Sequence, residues 1–168
     1  MNRVNHKFGG YLDVKSIRRA AMTLLAFLRS QGYVEIPLKK TASGLIEVEA
    51  KVNGEDALFI LDTGAGRTVL DTGRAARLHL ELNQSESKAA GLGSASHPVQ
   101  NSIVNELTIG SLHIASFKTV VMDLSHVNEA RAQIDSAPCD GVIGADILGG
   151  RSAVIDYSSY KLYLKENS

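Results

Sequence analysis

From residue 34 onward, apolar and polar positions alternate at the two-residue period of a strand. Leu45-Ile46-Glu47-Val48-Glu49-Ala50-Lys51-Val52 sets apolar side chains against charged ones. The pattern predicts a half-buried strand with its charges in water. Asn53-Gly54 follows, a pair that accepts positive φ at both central positions of a tight hairpin turn. The return strand is the apolar run 57–61. A short strand is expected at 68–70, then a helical stretch near 74–78. Residues 103–109 and 112–122 predict two strands around Gly110-Ser111. The polar segment 125–134 fits a short helix or a surface loop. Gly141-Val142-Ile143-Gly144 holds an apolar pair between glycines. A short helix over 145–148 should follow, closed by Gly149-Gly150. The chain then reads as a hairpin, 153–157 with 161–164, around Ser158-Ser159.

The first 33 residues follow another period. Ser16 can cap a helix running to Arg29, on which Leu24, Leu25 and Leu28 share one face. Gly32 stops it. The expected organisation is therefore an N-terminal helical extension, 1–33, and a β-rich domain, 34–168. The extension's apolar face must cover the domain, a partner subunit or a membrane surface. The apolar run 20–28 after Arg18-Arg19 loosely imitates an export signal. It is short, ends at Arg29 and lacks an A-x-A cleavage pattern, so an amphipathic helix is the preferred reading. The compartment stays open, with cytoplasm favoured over export. No run of 18 apolar residues occurs, so no transmembrane helix is expected.

Composition narrows the chemistry. Of the 168 residues, 18 are Lys or Arg and 18 are Asp or Glu, so the formal charge is zero. A neutral chain has no global basic field to attract nucleic acid, and neutrality removes one barrier to self-association. The single cysteine, Cys139, rules out an internal disulfide. Its sequence context before an apolar run suits a small buried thiol better than a nucleophile. The five histidines show no metal-ligand spacing, and neither a metal nor a cofactor is expected.

The run 57–61 ends in Leu61-Asp62-Thr63-Gly64-Ala65-Gly66. A strand would deliver the Asp62 carboxylate at its end, and glycines let neighbouring backbone approach closely. Gly64-x-Gly66-x-x-Val69 also half-matches a dinucleotide fingerprint, but its third glycine is missing and Asp62 would lie close to the phosphates. Asp140 and Asp146, which flank the Val-Ile-Gly element, suit structural roles, as a loop acceptor and near a helix start. Arg67, beside the loop, could face substrate, with an exposed solvated charge as the default expectation.

Taken in order, these elements resemble the retropepsin-like aspartic proteases, especially their single-lobed bacterial members. The shared order is a hairpin into Asp62-Thr63-Gly64-Ala65, a glycine-rich flap segment at Gly91-Leu92-Gly93, Val142-Ile143-Gly144, a short helix and a final hairpin. The resemblance implies an all-β fold with short helices, a single-lobe acid-protease barrel. It implies catalytic roles for Asp62, Thr63 and Gly64, substrate contacts from Ala65, Gly91, Leu92 and Gly93, and support of the loop by Val142, Ile143 and Gly144. Retroviral members pair an acid shortly after the loop with an arginine after the second glycine element. Gly66 and Ala145 stand there instead, so that ion pair is missing.

Hydrolysis of this kind needs two carboxylates around one water, and the chain has one such loop. The second Asp62 would come from another copy across a twofold axis. The expected function is a homodimeric aspartic endopeptidase acting on extended peptides. The alternative is a non-catalytic or latent dimeric peptide-binding module on the same fold.

Overall fold

The computed structural model describes residues 23–84, 89–91, 93–97 and 99–166. The expectations for Ser16 and the rest of 1–22, and for Leu92, lie outside the described residues. A helix, α1 (Leu24–Ser30), is capped by the Thr23 hydroxyl, which accepts from Ala26 N at 3.1 Å. It packs on strand β1 (Tyr33–Pro37) through buried Leu28, while Leu24 stays exposed. The apolar face is therefore only partly covered within the described chain.

After the short β2 (Lys39–Lys40) come β3 (Ile46–Val52) and β4 (Glu55–Leu61), joined by the expected turn. Asn53 and Gly54 have φ of 51° and 89°, as an Asn-Gly hairpin requires. The Asn53 side chain also accepts from Asn105 N at 2.9 Å and donates to Leu78 O at 2.8 Å, clamping two other segments to the turn. Next are β5 (Val69–Asp71), a single 3-10 turn (Thr72–Arg74) and β6 (Asn83–Gln84). The helical stretch expected at 74–78 is no α-helix; it is turns following that 3-10 segment. A two-stranded hairpin, β7 (Ala89–Gly91) with β8 (Gly93–His97), precedes the long pair β9 (Gln100–Ile109) and β10 (Leu112–Met122). Helix α2 (Ser125–Ala132) then leads to β11 (Gly141–Ile143), α3 (Ala145–Gly150), β12 (Val154–Asp156) and β13 (Lys161–Lys165).

The strand order β3-β4-β11-β5-β10-β9 closes when β9 pairs back onto β3, giving a six-stranded barrel. Phe59, Leu70, Leu107, Ile109 and Ile143 fill it, each almost fully buried. Each such side chain contributes roughly 1.5–3 kcal/mol of transfer free energy. β1 and β12 flank β13 in a separate sheet, and Ile36, Leu162 and Leu164 tie it to the same core.

One strand departs from its sequence pattern. Alternation puts Glu47 of β3 in water, yet the residue is 3% exposed. Its Oε1 accepts from Arg131 Nη2 of α2, itself 2% exposed, at 2.5 Å. A carboxylate so buried needs a paired, hydrogen-bonding cation. The partner lies 84 residues away, beyond the reach of periodicity.

Candidate active site

Asp62 stands where β4 ends. β4 and β5, the strands on either side of its loop, are held apart by β11, which runs parallel to β4 (Ile143 opposite Leu61) and antiparallel to β5 (Val142 opposite Val69). Asp62 N donates to Ile143 O at 3.0 Å, so β11 fixes the loop's first residue. The exposed Asp62 carboxylate accepts from Gly64 N at 2.8 Å, and Ala65 N donates to Asp62 O at 3.2 Å. The loop thus presents its acid in one orientation toward solvent.

Val142, Ile143 and Gly144 lie beneath it. A Cβ on Gly144 would stand 2.6 Å from the carbonyl carbon and oxygen of Arg67 and 2.8 Å from Ala65 O. Only a residue without a side chain lets β11 pass this close to the loop. The same holds for Gly141, where a Cβ would come within 2.3 Å of Val69 O and 2.7 Å of the Phe59 ring.

Where the retroviral ion pair is missing, other bonds join the loop to α3. Ala145 N donates to Ala65 O at 2.7 Å. Thr68 donates to Asp146 Oδ1 twice, from its amide at 2.9 Å and its hydroxyl at 2.7 Å. The Thr68 hydroxyl accepts from Gly144 N at 3.1 Å. Asp146 also accepts from Ile147 N at 2.9 Å, inside the first turn of α3. Sequence pattern marks Thr68 as no more than a strand start. The one signal of its larger role is a small hydroxyl residue just after a glycine-containing loop.

Asp140 acts as a structural acceptor. Its carboxylate takes Leu58 N at 2.8 Å and pairs with Arg77 at 2.5 Å and Arg74 at 3.4 Å. Cys139 is buried beside Asn128, and burial pushes its thiol pKa up from 9.0, leaving a poor nucleophile. The dinucleotide reading fails on topology: the segment after Gly66 becomes strand β5, so no helix N-terminus faces the glycines.

Thr63 is exposed beside Asp62. It borders a cavity of about 290 Å³ together with Ala145, Leu148, Gly149, Ser152, Ala153 and Ile155. Gly91 and Gly93 fall at the facing ends of β7 and β8. No group of His, Cys, Asp and Glu suited to a metal ion occurs among the described residues, and no helix among them is long and apolar enough to cross a membrane.

A sequence profile described as aspartyl protease matches residues 48–147. The chain belongs to the aspartyl protease family. The matched span runs from β3 through the Asp62 loop to the start of α3. Among solved structures, the fold of this aspartyl protease family member is similar to a retropepsin-like aspartic protease from Rickettsia conorii. That match has a TM-score of 0.52 and 20% identity over 79% of this chain and 89% of that one. It is also similar to EIAV protease complexed with the inhibitor HBY-793, with a TM-score of 0.52 and 21% identity over 70% of this chain and 98% of that one. The fold is therefore retropepsin-like: mostly β, with few short helices. No curated relative matches the sequence.

Proposed function

We propose that the protein is an aspartic endopeptidase that hydrolyses peptide bonds with a water held between the Asp62 carboxylates of two copies. The observation that carries this reading is the exposed Asp62, held by Gly64 N and Ile143 O in a family whose fold the chain shares.

In this mechanism one carboxylate is ionised and takes a proton from the water, acting as general base. The other is protonated and polarises the scissile carbonyl, acting as general acid. Two carboxylates within hydrogen-bond range share one proton, because both cannot ionise at low cost. They titrate as a unit. Thr63 would donate across the twofold axis and lock the two loops. The small-residue face of Ala145, Gly149, Ser152 and Ala153 beside it is where the second copy would sit. Gly64 and Ala65 would offer backbone groups to an extended substrate, which pairs like an added strand. Gly91, Leu92 and Gly93 would close over it and exclude water. Val142, Ile143 and Gly144 would hold the loop in register. Residues 1–33 would form an extension outside this catalytic unit.

The test is cleavage of a diverse peptide library from mildly acidic to neutral pH, at high protein concentration, by wild type and by Asp62→Asn. Products that vanish in the variant support the proposal. Equal products from both would defeat it. Peptides bound but never cleaved would point to a binding module instead.

A further inference from the structure

A second cavity, of about 370 Å³, lies along the strands that lead into the β7–β8 hairpin. It is lined by Arg67, Asn83, Asn101, Ser102, Ile103, Lys118 and Thr119. Arg67 comes from the Asp62 loop itself. Lys118 and Ile103 face each other across β10 and β9, as do Thr119 and Ser102, and Asn83 of β6 faces Asn101.

Two features of this cavity, its unpaired cations and its lack of acids, are complementary to a negative charge. Arg67 and Lys118 are both exposed, and no carboxylate pairs with either among the described residues. The Ser102 hydroxyl is buried, with the residue 2% exposed, and has no hydrogen-bond partner among the described residues. It belongs with Thr119 to the inward face of the β9–β10 pair, opposite Ile103 and Lys118, so it offers no donor to a ligand beside them. The neighbouring Thr119 hydroxyl is already engaged with Thr68 O at 3.1 Å, so it adds no free donor but ties the cavity wall to the loop. None of the described residues lining the cavity is acidic. Ile103, 52% exposed, gives it an apolar edge that suits the stem of a side chain.

We propose that this cavity is a specificity pocket for an anionic side chain of an extended peptide, with Arg67 and Lys118 as its charge-selecting residues. The inference rests on the peptidase reading only for its use in cleavage; the pocket's charge preference stands apart from it. A guanidinium gives planar, paired hydrogen bonds to a carboxylate or phosphate, and a lysine adds a point charge. Glutamate and phosphoserine both offer that chemistry, and the experiment separates them.

Matched peptides carry Glu, phosphoserine or Gln at each position around the scissile bond in turn. At one position, kcat/KM for Glu or phosphoserine should exceed that for Gln by about tenfold, the scale of one charge-assisted hydrogen bond. The larger of the two ratios identifies the preferred anion. The ratio should fall to about one in Arg67→Gln/Lys118→Gln and persist in Lys40→Gln, which removes an exposed cation that does not line the cavity. Arg67→Glu should instead favour a Lys peptide, a gain that loss of folding cannot produce. The pocket is refuted if no position prefers an anion, or if the double variant keeps the preference. The same peptides are titrated by fluorescence anisotropy onto Asp62→Asn. An anion preference in binding without any Asp62-dependent cleavage would keep the pocket and reject the peptidase. Cleavage indifferent to charge would do the reverse.

Discussion

Thr68 and Asp146, 78 residues apart, share two hydrogen bonds to one carboxylate oxygen, and the Thr68 hydroxyl also accepts the Gly144 amide at 3.1 Å. One threonine therefore joins the end of the candidate catalytic loop, the strand beneath it and the helix beyond.

Asp146→Ala removes the acceptor for two Thr68 donors and for Ile147 N. It should destabilise the fold by about 2 kcal/mol, the usual scale for part-buried donors left unpaired. Thr68→Val should cost a similar amount. Because the two residues share bonds, the double variant should lose less than the sum, with a coupling of about 1 kcal/mol. Urea unfolding of the four proteins measures that coupling; strict additivity would contradict the network.

Gly144→Ala places a methyl group 2.6 Å from the Arg67 backbone. Either β11 or the loop must move, at a cost of about 1–3 kcal/mol. On the proposed peptidase reading, cleavage should drop more than stability, since the displaced segment carries Asp62. A melting curve and a cleavage assay on one preparation compare the two effects. An unchanged melting temperature would mean that the close approach does not exist.

The Glu47–Arg131 pair makes breaking and replacing it different experiments. Arg131→Met leaves the buried Glu47 carboxylate only the exposed Lys39 ammonium, 4.0 Å from its other oxygen, and should cost about 3–5 kcal/mol. Glu47→Met with Arg131→Met removes both charges and should recover much of that loss. Chemical denaturation of the two variants decides. Equal losses would show that the Glu47 carboxylate, left without Arg131, is not what destabilises the single variant.

Asp156 accepts from Ser158 Oγ, Ser159 Oγ and Ser158 N, and these bonds hold its pKa at about 2, down from 3.8. A depressed carboxylate stabilises the fold above its unfolded pKa. That contribution fades as pH falls from about 4 through about 2. Asp156→Asn should therefore flatten the stability profile over that interval and leave its slope near neutrality unchanged. Thermal melts at several pH values read this directly.

If two Asp62 residues share each site, mixing wild type with an equal amount of Asp62→Asn should roughly halve the activity per wild-type chain, because random pairing places half of those chains in heterodimers. Activity per wild-type chain that stays constant after subunit exchange would point to sites contained within single chains.

The sequence by itself determined the strand pattern, the Asn53-Gly54 turn and the position of Asp62 at a strand end. All of these follow from the two-residue period of a strand and from backbone freedoms that few residue types possess. Tertiary structure decided which distant groups meet. The alternation that drew the β3 strand correctly also put Glu47 in water, because periodicity counts neighbours along the chain and cannot see an arginine brought over from α2. Thr68 reads as an ordinary strand residue until β11 brings Gly144 and Asp146 against it. Arg67, Ser102 and Lys118 form a pocket only once β5, β10 and β9 lie side by side. Local propensity acts through a residue's own backbone and side chain, whereas hydrogen bonds, ion pairs and cavities depend on groups that only the closed barrel brings within reach.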